Sequence, residues 1–258
     1  MGNIAAIFWK EMRSYFGSPI AYVMAGVFLL FTGYIFQNLV LDFHQLCRYY
    51  AKQASTSNSP PLNVNEMVVV HFYGVQAFVW MMVTPMLTMR LYAEEKRNGT
   101  LELLMTSPLT TWQTLLGKFG ACLTLYAITE AAALSLLWLL SMHATLEWGP
   151  VFSAYLGIFL VGATFISAGI LASSLTENQI VAVVLSFFLL MLLWLIHWSS
   201  TFTTPVVAAV LRYLSILAHM GDMTRGVIDT NDVVFFLSMA TFFLFLTHTV
   251  IESRRWRQ

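Results

Sequence analysis

Six long apolar runs limit what this chain can become. Pro19–Val40, Met67–Leu91, Leu115–Met142, Val151–Ser173, Ile180–Trp198 and Val233–Ile251 are almost free of charge. A helix rises about 1.5 Å per residue, so roughly 20 such residues cross a hydrocarbon layer about 30 Å thick. Lipid offers no hydrogen-bond partner to backbone N–H or C=O, which leaves helices or a closed barrel. Runs this long and continuous lack the alternation of barrel strands. The expectation is an all-α polytopic membrane protein with six transmembrane helices, a single domain over residues 1–258. Composition agrees, since 58% of residues are hydrophobic and only 10% charged.

Several classes fall away. A formal net charge of zero argues against a nucleic-acid footprint. Cys47 sits in a polar stretch and Cys122 in an apolar one, so no disulfide is expected between them. Lys10 and Arg13 precede an apolar run, as in a signal peptide. That run is longer than a signal core and no small-residue cleavage site follows, so it reads as a retained span. Ala6 stands where a myristoylation signal needs Ser or Thr.

Basic residues set the orientation. Six spans place both termini on one side, with Lys10, Arg13, Arg90, Lys96, Arg97, Lys118, Arg254, Arg255 and Arg257. The other side holds only Arg48, Lys52, Arg212 and Arg225. The richer side is expected to be cytoplasmic.

The flanks have their own patterns. Residues 1–17 place Ile4, Ile7, Phe8, Met12, Tyr15 and Phe16 at helical spacing, with Lys10, Glu11, Arg13 and Ser14 largely opposite. This predicts an interfacial amphipathic elbow helix. Asp42–Glu66 reads as a polar outer loop ending in "SNSPPLN". Within 199–232, the apolar stretch Pro205–Ala218 is too short to span and contains Arg212. It reads as a short outer or re-entrant helix, followed by a turn at Gly221 and Gly226, so that a helical hairpin precedes the last span.

Enzymatic signatures are absent from the sequence. There is no G-x-S-x-G, no P-loop and no H-E-x-x-H pair, so neither a catalytic residue, a metal ligand nor a cofactor site is assigned. The six histidines fit interfacial or hydrogen-bonding roles. Glu130 stands in the middle of the third run, where a charged carboxylate costs roughly 2.5–3.5 kcal/mol on insertion scales. Two readings stay open. It is either a polar contact in a transport path or subunit interface, or a protonated acid hydrogen-bonded to a neighbouring helix. Pro85, inside the second run, is a candidate hinge or a static bend.

One stretch breaks the apolar character. "RLYAEEKRNGTLELLMTSPL" gathers Arg90, Glu94, Glu95, Lys96, Arg97 and Glu102 directly after the second run. Strong helix formers predict that this helix leaves the membrane as a lever. Asn98-Gly99 stops it. Thr100 can cap a second short helix with Glu102 in its first turn, where the dipole favours an acid. Leu101, Leu104 and Met105 form an apolar face, and Pro108 ends the helix. Charges that do nothing for orientation, at the tip of a lever, suggest a docking element over residues 92–114.

The same residues carry a resemblance. "PMLTMRLYAEEKRNGTLELLMTSPLTTWQTLLGKF" resembles the type-2 ABC exporter permeases, whose second and third spans are joined by E-E-[KR]-x-x-G-T-x-E-x-L-x-x-x-P. Glu94, Glu95, Lys96, Gly99, Thr100, Glu102, Leu104 and Pro108 meet that pattern, and Lys118 matches a further common element. "LAHMGDMTRGVIDTNDVVFF" is similar to the gliding-motility Gld-F-like group, with Nos-Y-like permeases more distant.

The resemblance implies the membrane half of an ATP-driven exporter in a bacterial inner membrane, coupling ATP hydrolysis to substrate movement or to mechanical work across that membrane. ATP and Mg would be bound by a separate nucleotide-binding subunit, docked on a coupling helix at about 99–108. It also implies a second permease copy or related membrane subunit, and in the Gld-F-like group a partner with a large extracytoplasmic domain. The competing reading is a membrane scaffold or membrane enzyme with no ATPase partner.

Overall fold

The computed structural model describes residues 2–53, 63–102, 109–199 and 204–255. All regular structure among them is helical. In chain order the helices are α1 (Asn3–Gly17), α2 (Pro19–Gln53), α3 (Val70–Thr88), α4 (Arg90–Arg97) and α5 (Thr111–Ser141). They continue as α6 (Trp148–Leu175), α7 (Gln179–Ser199), α8 (Pro205–Tyr213), α9 (Ile216–Thr224) and α10 (Thr230–Arg255). A single π-helical turn, Asn65–Val69, leads into α3. Six of the helical stretches are long and apolar enough to cross a membrane, with α3 and α4 forming one of them. The chain is a multi-pass membrane protein.

α6 is the hub. Of its most apolar window 83% is buried, against 22% for α2 and for α7. It packs on α3, α4, α5, α7, α9 and α10. Small residues make this close approach feasible. A Cβ on Gly162 would lie 2.2 Å from the Tyr126 ring of α5. On the outer layer, a Cβ on Gly117 of α5 would lie 2.8 Å from Ile7, so α1 also rests directly on α5 backbone.

Local signals account for the element ends. Pro19 opens α2, where its missing N–H is harmless. Thr110 and Gln113 form a reciprocal capping box at the start of α5, at 3.3 and 3.2 Å. Gly99 takes a left-handed φ of 68° directly after α4, as expected of a residue that stops a helix.

Three expectations are corrected. The polar outer loop does not begin at Asp42, because α2 runs on to Gln53. Loss of apolar character ends the lipid-facing stretch, but the backbone ladder can continue into water. Pro205–Ala218 is not one short helix. α8 and α9 are separate and bent by 67°. Finally, Glu11 does not share a solvated face with Lys10 and Arg13. α1 turns Ile7, Met12 and Tyr15 inward, and Glu11 is turned in with them while Ile4, Trp9 and Phe16 stay exposed.

Candidate functional site

The charged stretch after the second span is fastened to the bundle on several sides. Leu91, Tyr92 and Ala93 of α4 are buried, and Arg97 to Thr100 are exposed. At the α3–α4 junction the backbone stays right-handed helical, and the Met89 N–H bonds to the Pro85 carbonyl at 3.0 Å. The Ser173 hydroxyl of α6 inserts just beyond. It accepts from the N–H of Tyr92 and Ala93 at 3.1 and 3.2 Å, and donates to the Met89 carbonyl at 2.8 Å. Lys96 donates to the Ser174 carbonyl, also on α6.

The centre of the site is Lys118. Its side chain, 1% exposed, donates to Glu95 at 2.7 Å, to Glu11 at 3.1 Å and to the Leu91 carbonyl at 2.9 Å. Three acceptors of this kind satisfy a buried ammonium completely. Three helices meet there, with Glu11 from α1, Glu95 from α4 and Lys118 from α5. Lys10, largely exposed, adds a second cation 3.4 Å from Glu95. Burial alone would lower the Lys10 pKa, but the carboxylates of Glu11 and Glu95 outweigh it and hold the ammonium above its ordinary value. Arg90 lies over the Tyr15 ring, 4.8 Å from its centroid, and donates to the Ser18 hydroxyl at 3.4 Å. A cavity of about 190 Å3 adjoins the cluster, lined among others by Ser14, Glu94 and Asn98.

The candidate residues therefore separate. Glu95 and Lys96 point into the protein, and Glu94 lines the adjoining cavity. Arg97, Gly99, Thr100 and Glu102 are exposed at the tip. Thr100 donates through its hydroxyl to the Glu95 carbonyl at 3.2 Å, which closes the turn at Gly99. Leu101 is not presented outward as an anchor; it is 6% exposed and belongs to the chain's own core. Leu104 and Pro108 lie outside the described residues.

Glu130 is 1% exposed. Its Oε1 accepts from the Trp80 indole of α3, while Oε2 has no partner among the described residues. Trp80 is wedged between Phe28 and Tyr126, with ring centroids 4.5 and 4.4 Å away. Glu130 thus faces the interior of the bundle and a neighbouring helix. Pro85 is buried in α3, about three turns before the exposed tip begins at Arg97.

Sequence reasoning did not assign Glu11, Trp80 or Ser173, and took Lys118 only from a resemblance. The partners lie 107 residues apart for Glu11 and Lys118, and 50 for Trp80 and Glu130. The one available signal is the lysine itself, a charge eight positions inside a helix whose only other charge is Glu130.

With this geometry in hand, comparison with known proteins is informative. A family model described as an ABC-2 family transporter protein matches residues 18–251. The chain belongs to the ABC-2 transporter family. The permease is also 25% identical over 198 residues to the probable multidrug ABC transporter permease YbhR of Escherichia coli strain K12, and equally to that of Escherichia coli O157:H7. The match covers 71% of this chain and 53% of either relative, so the chain spans about half the length of the curated relatives it matches. An ABC permease works, in general, with an ABC ATPase.

Proposed function

We infer that this chain is the membrane-spanning subunit of an ATP-driven ABC exporter, with its termini and residues 92–114 in the cytoplasm of a bacterium and its spans in the inner membrane. The chain itself does no catalysis. A separate ATPase subunit, binding ATP and Mg, docks on the exposed tip around Arg97–Glu102, and a second permease copy or related subunit completes the pathway. The observation that carries this reading is the Lys118 cluster. A charged element set on a rigid ionic joint of three helices moves as one piece with α1 and α5, as a mechanical input requires. A docking tip with no such joint would flex without moving the spans. Glu94 and the neighbouring charges align the contact; Leu104 and Pro108 complete the motif by resemblance.

The narrower likeness to the Gld-F-like group rests on the hairpin sequence alone, and the coupling role does not depend on it. The likeness to YbhR, a probable multidrug permease, makes multidrug export the first activity to assay here. The reading is tested by purifying the tagged permease from its native membrane. The expected result is a stoichiometric nucleotide-binding subunit whose ATPase activity depends on the complex, and whose association is lost in Glu102→Arg while the permease still inserts. Normal association and transport in that variant would reject the docking site. Absence of any ATPase in the purified complex would favour a scaffold.

A further inference from the structure

α10 is tied by side chains at both ends, to different parts of the molecule. At the end that carries the termini, the Thr111 hydroxyl of α5 donates to Glu252 at 2.7 Å. One residue on, the Trp112 ring stacks on His248, with centroids 4.5 Å and planes 15° apart. His248 and Glu252 are one helical turn apart on α10, so the two contacts form one joint. α5 takes the chain from the docking stretch back into the bundle, opening at Thr111 behind the Thr110 cap. Gln113, in the same turn, accepts from Asn3 of α1 at 3.3 Å. The stretch is therefore fastened at its exit as well as at its entry on α4.

At the opposite end α10 holds the hairpin of α8 and α9. Buried Asp232 is hydrogen-bonded through Oδ1 to His219 Nδ1 of α9, at 2.6 Å. The other ring nitrogen of His219 lies 2.8 Å from the carbonyl of Tyr213, the last residue of α8. The imidazole is also stacked on Phe235 of α10, with centroids 4.1 Å apart. One side chain thus joins α8, α9 and α10. Between the two joints α10 is a single α-helix of 26 residues with neither proline nor glycine. Its length is about 39 Å at 1.5 Å per residue. The usual causes of a kink are missing, and in lipid the backbone has no other partner for its hydrogen bonds. A displacement near Glu252 reaches Asp232 instead of being absorbed in a bend.

We propose that α10 is a transmission rod between the docking stretch and the outer hairpin. Movement enters through the Thr111–Glu252 and Trp112–His248 contacts and leaves through Asp232 and His219, shifting α8 and α9. Thr111, Trp112, His248 and Glu252 are positioning residues for the coupling step. What drives the input rests on the docking reading; the rod itself does not. α9 also rests on α6, where a Cβ on Gly157 would lie 3.1 Å from Met223, so the hub is the competing route.

Hydrogen exchange of α8 and α9 in the purified full-length permease tests the rod without the ATPase. The parent, Trp112→Ala, Asp232→Ala and the double variant form a cycle. Trp112→Ala is expected to change exchange in the hairpin severalfold while α7 keeps its protection. With Asp232→Ala already present, the same substitution should change it by roughly twofold or less. His248→Phe, which keeps a ring on Trp112, should match the parent, and His248→Ala should match Trp112→Ala. Should Asp232→Ala fold poorly, His219→Phe opens the same joint and leaves a ring on Phe235. Exchange altered only at the inner ends of α5 and α10 would overturn the proposal. So would a hairpin response that persists with the outer joint open, which would assign the route to α6. With the ATPase subunit bound, nucleotide should alter hairpin exchange in the parent and not in Trp112→Ala; a response kept in that variant would also overturn it. If no ATPase co-purifies while the cycle behaves as expected, the docking reading fails and the rod stands.

Discussion

Glu95 and Glu130 are both carboxylates packed inside a largely apolar protein, and they are accommodated in opposite ways. Glu95 lies near the end of the bundle that carries the termini, within 3.4 Å of two lysines. Glu130 lies at the middle of α5 and forms no ion pair among the described residues; its partner is the indole of Trp80. The difference is one of depth. Near the membrane boundary, long lysine side chains can reach a buried acid while their own stems stay in apolar surroundings. At mid-depth a compensating cation would be as costly as the acid, and a neutral hydrogen-bond donor is the cheaper partner. Charge in the first place ties helices together. In the second, a single neutral contact is tolerated; each of the two acids keeps one oxygen without a partner among the described residues.

Lys118→Ala should have the largest effect, because it leaves Glu11 and Glu95 with only the largely exposed Lys10 as a cation, at 3.5 and 3.4 Å. Removing one member of a buried pair costs about 3–5 kcal/mol. A thermal melt in detergent reads this, and Glu95→Gln in the same chain should recover part of the loss. If Lys118→Ala melted with the parent, the cluster would not hold the three helices. Glu130→Leu comes next, at about 1–3 kcal/mol, because the Trp80 N–H loses its acceptor. Glu130→Gln should stay within about 1 kcal/mol of the parent, since an amide oxygen can replace the carboxyl oxygen. Transport assays sharpen the contrast. A Gln variant that assembles yet transports poorly assigns Glu130 to the path, whereas one that transports normally leaves it as a contact between helices.

Ser173→Ala should cost about 1 kcal/mol, since Tyr92 and Ala93 lose a shared acceptor but keep the rest of their helix. Hydrogen exchange of α4 is the sensitive measurement, and faster exchange confined to α4 is the expected sign. Unchanged protection there would remove Ser173 from the joint. Lys10→Gln should be smallest, within the 0–1 kcal/mol or so typical of exposed pairs. Its sign with pH is defined. The Lys10 pKa is raised above 10.5 in the folded protein, so its contribution is fully present below 10.5 and disappears as pH rises through the folded value. The gap between parent and Lys10→Gln should therefore close only in strong alkali. A gap that widened there would contradict the pairing with Glu11 and Glu95.

The two acids also measure how far a sequence can be read. Glu130 stands out in the sequence, because a lone carboxyl in an apolar run is locally conspicuous. Its partner does not, since Trp80 looks like any other aromatic in a span. Glu95 stands out for the reverse reason, as one of a crowd of charges, and that crowding suggests an outward contact. Nothing local distinguishes Glu95, which faces Lys118, from Arg97, which faces solvent, two positions later. Leu101 was read as an anchor for a partner because it belonged to an apolar face, but an apolar face does not reveal which apolar surface covers it. The end of α2 was misplaced for a related reason. Hydropathy marks where lipid ends, and a helix can outlast the lipid by more than three turns.

The sequence by itself determined the number of spans, their helical nature and the stop at Gly99. Each follows from interactions within one segment, namely backbone satisfaction in lipid, apolar length, and the freedom of a glycine to adopt positive φ. Only the tertiary structure decided that α6 is the hub, that Ser173 bridges the α3–α4 junction, and that Lys118 joins α1, α4 and α5. Those outcomes depend on which side chains from distant segments come within about 3 Å of each other, the reach of a hydrogen bond. Such pairing is set by the packing of whole helices, and a single residue carries no record of it.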